Sequence, residues 1–70
     1  MEIRKGVVRG FDATTYTATV QVEGSLGTWL EGVPVARNIS AAEMVAGRRC
    51  ALLLFDPSTP SDGVVIAVFT

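Results

Sequence analysis

The chain has no histidine, a single cysteine, and only six basic residues against seven acidic ones. Without histidine it lacks the side chain that exchanges protons most readily near neutral pH, and one cysteine can form neither an intrachain disulfide nor a structural zinc site. The acids are scattered over separate turns and strand faces, so we expect no enzyme, no metal and no cofactor. The formal charge of −1 provides no general field to attract nucleic acid.

Long apolar runs are also missing. No segment has the length of a transmembrane helix, and residues 1–6 are not followed by the apolar stretch of a signal peptide. We therefore expect synthesis in the cytoplasm and no association with a membrane.

Seventy residues form one domain, residues 1–70, yet 49% of them are hydrophobic. A small domain has proportionally more surface than a large one, and apolar burial within it offsets little more than the cost of ordering the chain. The surplus of apolar side chains therefore predicts a subunit interface, and so a homo-oligomer.

Alternating or continuous apolar segments separated by turn residues predict five strands, at residues 3–11, 15–23, 28–36, 49–55 and 64–69. The first contains Gly6 and Gly10, which are typical of bends or bulges. The second alternates strictly, with one buried face made of Tyr16, Ala18, Val20 and Val22. Residues 24–27 form the turn that follows it.

The third strand is expected to place Trp29, Glu31, Val33 and Val35 on one side and Leu30 on the other. Trp29 has two interpretations that the sequence leaves open. It either covers the end of the core, or it anchors a neighbouring subunit, where tryptophan is enriched.

Between the third and fourth strands, Ser40 and Glu43 have the spacing of a capping box, which predicts a helix of one or two turns. Met44 or Val45 would then plug one end of the core. Three strands, a short helix and two strands form the element order of an OB-type Greek-key barrel. An SH3-like barrel is the alternative fold.

The fourth and fifth strands are apolar on both faces. A barrel wall turns one face inward, so the other must meet something, and we expect identical subunits. The interface candidates are Leu52, Leu54, Val64 and Ile66, or their neighbours of opposite phase, together with Trp29. Cys50, which begins the fourth strand, is interpreted as a small core hydrophobe rather than a reactive thiol.

Single-stranded nucleic acid is the alternative partner, because OB-type barrels often bind it with aromatic side chains and a basic groove. The outward face of the second strand is Thr17, Thr19, Gln21 and Glu23, without an aromatic platform. An oligomeric single-strand binder therefore stays the second hypothesis, which depends on where the arginines lie after assembly.

Several short motifs carry a family resemblance: Gly6-Val7-Val8, residues 16–22, Thr28-Trp29-Leu30, residues 52–55 and Asp62-Gly63-Val64-Val65. The chain resembles the OB domain of phage baseplate and tail-spike hub proteins, and the related domain of type VI secretion spike proteins. The resemblance implies a trimeric, non-enzymatic part of a virion or injection apparatus. Glu31-Gly32 departs from the pattern, which has a proline there, so a tail adaptor or capsid-decorating protein is also compatible.

Overall fold

A computed structural model describes residues 1–23, 29–56, 58–59 and 62–70. These residues form an all-β structure of five strands and one short 3-10 turn: β1 Glu2–Asp12, β2 Thr17–Val22, β3 Trp29–Pro34, the turn Ala41–Glu43, β4 Arg49–Leu54 and β5 Gly63–Phe69. The predicted all-β class and order of elements are confirmed. The predicted turn at 24–27, Thr28, and positions 57, 60 and 61 lie outside the described residues.

The strands form one sheet in the order β3-β2-β1-β4-β5, with antiparallel pairing between all neighbours. β1 is shared: its first half pairs with β4, and its second half pairs with β2. Just beyond β3, Val35 forms a parallel bridge with Val65 of β5, and the Ala36 amide donates to the Val65 carbonyl at 3.0 Å. This contact brings the outer strands together, so the sheet is barrel-like.

Gly6 is where β1 pairs with both neighbours, opposite Val22 of β2 and Cys50 of β4. A Cβ atom at this position would lie 2.5 Å from Val20 Cγ1 and 3.0 Å from the Gln21 carbonyl oxygen. The close approach of β2 to β1 at this point therefore requires a residue without a side chain. Three residues on, the register shifts between Val8 and Gly10, which agrees with the predicted irregularity of β1.

The core fills the inside of the curled sheet. Its fully buried side chains come from every strand: Val8, Val20, Val33, Cys50, Leu52 and Val65. Met44 is buried among them, while Val45 is half exposed. Of the two predicted plugs, Met44 is therefore the one that packs on the core.

The segment before Met44 is a three-residue 3-10 turn, shorter than the predicted helix. Ser40 begins it as expected, because its Oγ accepts a hydrogen bond from the Ala42 amide at 3.3 Å. The second half of the predicted capping box is absent from the described contacts. The Glu43 carboxylate instead accepts from Arg48 Nη1 at 2.7 Å, which links the turn to the start of β4.

A bulge in β3 reverses the direction of its side chains. Ala18 faces Val33 and Val20 faces Leu30, so Glu31 and Gly32 together oppose one residue of β2. Gly32 has φ +70°, which glycine adopts without strain. The predicted face of Trp29, Glu31, Val33 and Val35 is therefore wrong: the two valines are buried, Trp29 and Glu31 are exposed, and Leu30 packs against the core.

Candidate functional site

The predicted interface residues divide between the core and the surface. Leu52 and Leu54 are buried core residues, so a partner could not reach them without opening the barrel. The structure therefore corrects their inclusion in the interface. The outward side of β4 consists of the residues of opposite phase, Arg49, Ala51 and Leu53. Val64 is half buried, whereas Ile66 is exposed.

The first candidate surface, the β1–β4–β5 face, is the outer side of the sheet formed by the first half of β1 with β4 and β5. Ile3, Leu53 and Val64 lie directly opposite one another in a row across the three strands. In the neighbouring row, Ala51 lies between Lys5 and Ala67. Opposed residues in antiparallel strands project from the same side, so these side chains form one continuous surface.

A register shift in β5 adds further apolar area to this face. Ala51 pairs with Ala67 and Leu52 with Val65, so Ile66 is the extra residue of a bulge. Both Ile66 and Ala67 are consequently exposed, while Val65 remains in the core. Five large apolar side chains of these strands and their ends are strongly exposed: Met1 (85%), Ile3 (66%), Phe55 (50%), Phe69 (41%) and Ile66 (40%).

The second candidate surface, the β1–β2–β3 face, is polar. It contains a shallow groove of about 340 Å³ that is lined by Gly10, Phe11, Asp12, Thr17, Ala18, Thr19, Glu31 and Gly32. Asp12 and Glu31 provide carboxylates, and Thr17 and Thr19 provide hydroxyls. A Cβ at Gly10 would touch only Thr19 Cβ, at 4.0 Å, and at Gly32 it would touch nothing within 4 Å. The two glycines thus leave the groove open.

Trp29 lies on the same side of the sheet as this groove, opposite Gln21 of β2. Its side chain is 52% exposed. The Arg9 guanidinium carbon lies over the indole, 5.8 Å from the ring centroid, and Arg9 Nε donates to Gln21 Oε1 at 2.9 Å. Trp29 therefore does not cover the end of the core, while its second interpretation, as an anchor for a neighbouring subunit, stays a prediction. It is an outward aromatic ring supported by a cation from β1, on the far side of β2.

A third cluster, around Tyr16, is structural. The Tyr16 hydroxyl donates to the Ile39 carbonyl, the Phe11 ring meets the Tyr16 ring edge to face at 5.1 Å, and the Arg37 guanidinium carbon lies 4.9 Å from its centroid. The backbone of Tyr16 also has φ +56°, a left-handed conformation that residues other than glycine rarely adopt. These contacts attach the segment after β3 to the β1–β2 turn.

The Cys50 thiol is buried, and burial raises its pKa to about 11. It is therefore protonated at neutral pH, and the neighbouring Arg48 and Arg49 do not activate it. Across residues 1–23, 29–56, 58–59 and 62–70, His, Cys, Asp and Glu side chains do not gather into a group of three that could hold a metal ion. Nor does the described part of the chain contain a helix long and apolar enough to cross a membrane.

The two outer faces thus offer different chemistry: a largely apolar surface on β1, β4 and β5, and a hydrogen-bonding groove beside an exposed aromatic ring on β1, β2 and β3. Both are built from residues that lie far apart in the chain and meet only through strand pairing. No protein-family model, no curated protein and no solved structure matches this chain significantly.

Proposed function

We propose that this protein is a non-catalytic assembly module that associates with copies of itself through the β1–β4–β5 face. The observation that carries the proposal is the row of Ile3, Leu53 and Val64 across three adjacent strands, extended by the exposed Ile66 and Phe69. Contiguous apolar surface of this kind marks interaction sites in soluble proteins, whereas scattered apolar residues do not.

The energetics favour a second copy as the occupant. Burying the exposed two-thirds of the Ile3 side chain contributes about 1–2 kcal/mol per subunit, and similar contributions from Phe69 and Ile66 add to it. A 70-residue domain has little stability of its own, so association supplies what its small core does not. Identical copies are always present together, and an apolar face is complementary to itself.

The strand order supports an OB-type barrel over an SH3-like one. Within the order β3-β2-β1-β4-β5, the first four strands lie as β4-β1-β2-β3, which is the spatial order of a Greek key. The bridge between Val35 and Val65 adds the contact of β3 with β5. The OB-type barrel combines a Greek key with five strands, and here the short turn falls between β3 and β4.

The sequence motifs that resemble phage hub and type VI secretion spike domains favour a trimer, and a place in a phage tail, baseplate or capsid surface. This part of the proposal rests on the resemblance alone. In such a setting the barrel would act by packing, with its apolar face against its copies and its remaining surface against other virion proteins.

A single-strand nucleic-acid binder is the second candidate function. The Trp29 ring with Arg9 above it is the observation in its favour, because bases stack on exposed aromatic rings near cations. Asp12 and Glu31 weigh against it, since both carboxylates line the adjacent groove. The assembly proposal is therefore the stronger one.

Sedimentation equilibrium at micromolar concentrations tests the assembly proposal. The 7.4-kDa chain should sediment as a multiple of its mass, three-fold if it is a trimer. Ile3→Lys combined with Ile66→Lys should yield a folded monomer, because the introduced charges repel across the interface. Val45→Lys is the matched control, since Val45 is similarly exposed outside this face. A wild-type monomer, or equal dissociation of the control, would refute the proposal.

A further inference from the structure

We propose that the β1–β2–β3 face binds a neutral saccharide, with one sugar ring stacked on Trp29 and the adjoining ring in the groove between Asp12 and Glu31. This site lies on the same outer surface of the sheet as the assembly face, but on β2 and β3 rather than on β4 and β5. The inference therefore goes beyond the proposed function and does not depend on it.

The aromatic part of the site is arranged before any ligand arrives. Arg9 is held by its 2.9 Å hydrogen bond to Gln21 and in turn covers the Trp29 indole, while about half of the Trp29 side chain stays open to solvent. The face of an aromatic ring is electron-rich and attracts the partial positive charge of C–H groups. A pyranose presents a flat face of such groups, and a ring already held in place costs little entropy on binding.

The groove begins where a second sugar ring would lie. Two residues along a strand span about 6.6 Å, so Thr19 is about that far from Gln21, the residue opposite Trp29. This step is comparable to the width of one sugar ring. The groove volume of about 340 Å³ is at the lower end of small-ligand sites, which suits one or two rings.

The lining of the groove fits hydroxyl groups. Carboxylates accept hydrogen bonds from sugar hydroxyls, and the threonine hydroxyls both donate and accept. The Asp12 carboxylate is already fixed, because its Oδ1 accepts from the Thr14 amide at 2.9 Å, which leaves its other oxygen for a ligand. The side chain of Thr17 is likewise positioned by Thr15, with 2.8 Å between the two hydroxyl oxygens.

The charges of the site select against a phosphate-bearing ligand. The groove lining contains two acidic residues and no basic one, and the Arg9 guanidinium lies over the Trp29 ring rather than in the groove. A phosphodiester in the groove would face both carboxylates at close range, which is repulsive. A neutral saccharide meets the same groups as hydrogen-bond partners, so the observations favour it over a nucleic acid strand.

The test uses the only tryptophan of the sequence as its own probe. Trp29 fluorescence is titrated with neutral trisaccharides of glucose, galactose, mannose and N-acetylglucosamine at low and high sodium chloride. We expect a saturable change with at least one of them, and a dissociation constant that is the same at both salt concentrations, because no counterions are released. No response to any of the four, by fluorescence or by amide chemical shifts, would overturn the proposal.

Three variants locate the site. Gly10→Leu places a side chain in the open groove at a position whose φ lies outside the left-handed region, and it should weaken binding at least tenfold. Val45→Lys lies outside the site and should bind like the wild type, as should the Ile3→Lys, Ile66→Lys double variant, which separates this proposal from the assembly proposal. Equal binding by folded Gly10→Leu would refute the location.

Glu31→Gln distinguishes the ligand class. It keeps the oxygen acceptor but removes the charge, so saccharide affinity should fall no more than a few-fold. A single-stranded oligothymidine is titrated in parallel. If it binds in a salt-dependent way, and more tightly to Glu31→Gln than to the wild type, the site is for nucleic acid and the saccharide proposal is overturned.

Discussion

Gly6→Ala should be among the most damaging single-methyl changes in this protein. The added Cβ would lie 2.5 Å from Val20 Cγ1 and 3.0 Å from the Gln21 carbonyl oxygen, and both distances are shorter than van der Waals contact allows. The Val20 side chain is fully buried and stiff about χ1, and the Gln21 oxygen belongs to a paired strand, so neither can move away easily. Overpacking costs about 1–3 kcal/mol, and we expect about 3 kcal/mol here.

Chemical denaturation at a fixed protomer concentration measures the effect, because association contributes to the stability of an oligomer. For a domain of this size, a loss of about 3 kcal/mol lowers Tm by about 12–24 °C. Gly10→Ala is the matched control in the same strand. Its Cβ would meet only Thr19 Cβ at 4.0 Å, so its free energy of unfolding should change by less than about 1 kcal/mol.

A double variant guards against the case in which Gly6→Ala does not fold. Val20→Ala removes the atom that the new methyl would strike, so Gly6→Ala with Val20→Ala should be more stable than the sum of the two single changes predicts. The reasoning is refuted if Gly6→Ala is as stable as Gly10→Ala, or if the two changes at positions 6 and 20 are simply additive.

Two further predictions concern the core and its border. Tyr16→Phe removes the donor to the Ile39 carbonyl and should lower the free energy of unfolding by about 0.5–1.5 kcal/mol in the same denaturation assay; no loss would mean that water replaces the hydroxyl fully. Because burial raises the pKa of Cys50 from 9.0 to about 11, the unfolded chain releases this proton first as the pH rises. The stability that the buried thiol contributes is therefore complete below about pH 9 and declines by about 3 kcal/mol towards pH 11. Cys50→Ala should lack this decline, so identical pH dependence of the unfolding free energy in the variant and the wild type would contradict the prediction.

Sequence periodicity predicted the strands well where one face is polar. In β2, apolar residues alternate with threonine and glutamine, and Ala18, Val20 and Val22 are accordingly buried. The register is also fixed by this pattern, since a slip of one residue would expose all three. Local sequence was sufficient here because each residue type signals which side it belongs to.

Sequence periodicity could not assign the two faces of β4, because Leu52 and Leu53 are chemically alike but only Leu52 lies in the core. A strand that is apolar on both sides contains no phase signal, so the pairing with β1 and β5 decides. The bulges at Glu31-Gly32 and at Ile66 are the second limit. Each bulge inserts one residue, so the side chains beyond it point to the opposite face from the one that simple alternation predicts. The position of a bulge depends on the partner strand as much as on the local sequence.

The site around Trp29 was only half predicted for a related reason. The sequence singles out Trp29 as a core cap or a subunit anchor, but it does not indicate the residues that support the ring, because Arg9 and Gln21 are separated by 12 positions and meet across the β1–β2 pair. The two glycines that leave the groove open, Gly10 and Gly32, have no side chain that would indicate a binding site in a sequence. The polar groove therefore became visible only with the strand pairing.

Strand β1 connects the two surfaces. Before Gly6, β1 pairs with β4 and its outward Ile3 belongs to the apolar face; beyond Gly6, β1 pairs with β2 and contributes Asp12 to the groove. One strand therefore supplies residues to both faces. Under both proposals, an oligomer joined through its apolar faces keeps a polar groove on every subunit. Such an assembly would bind a repeating saccharide through several grooves at once, which raises avidity well above the affinity of a single groove.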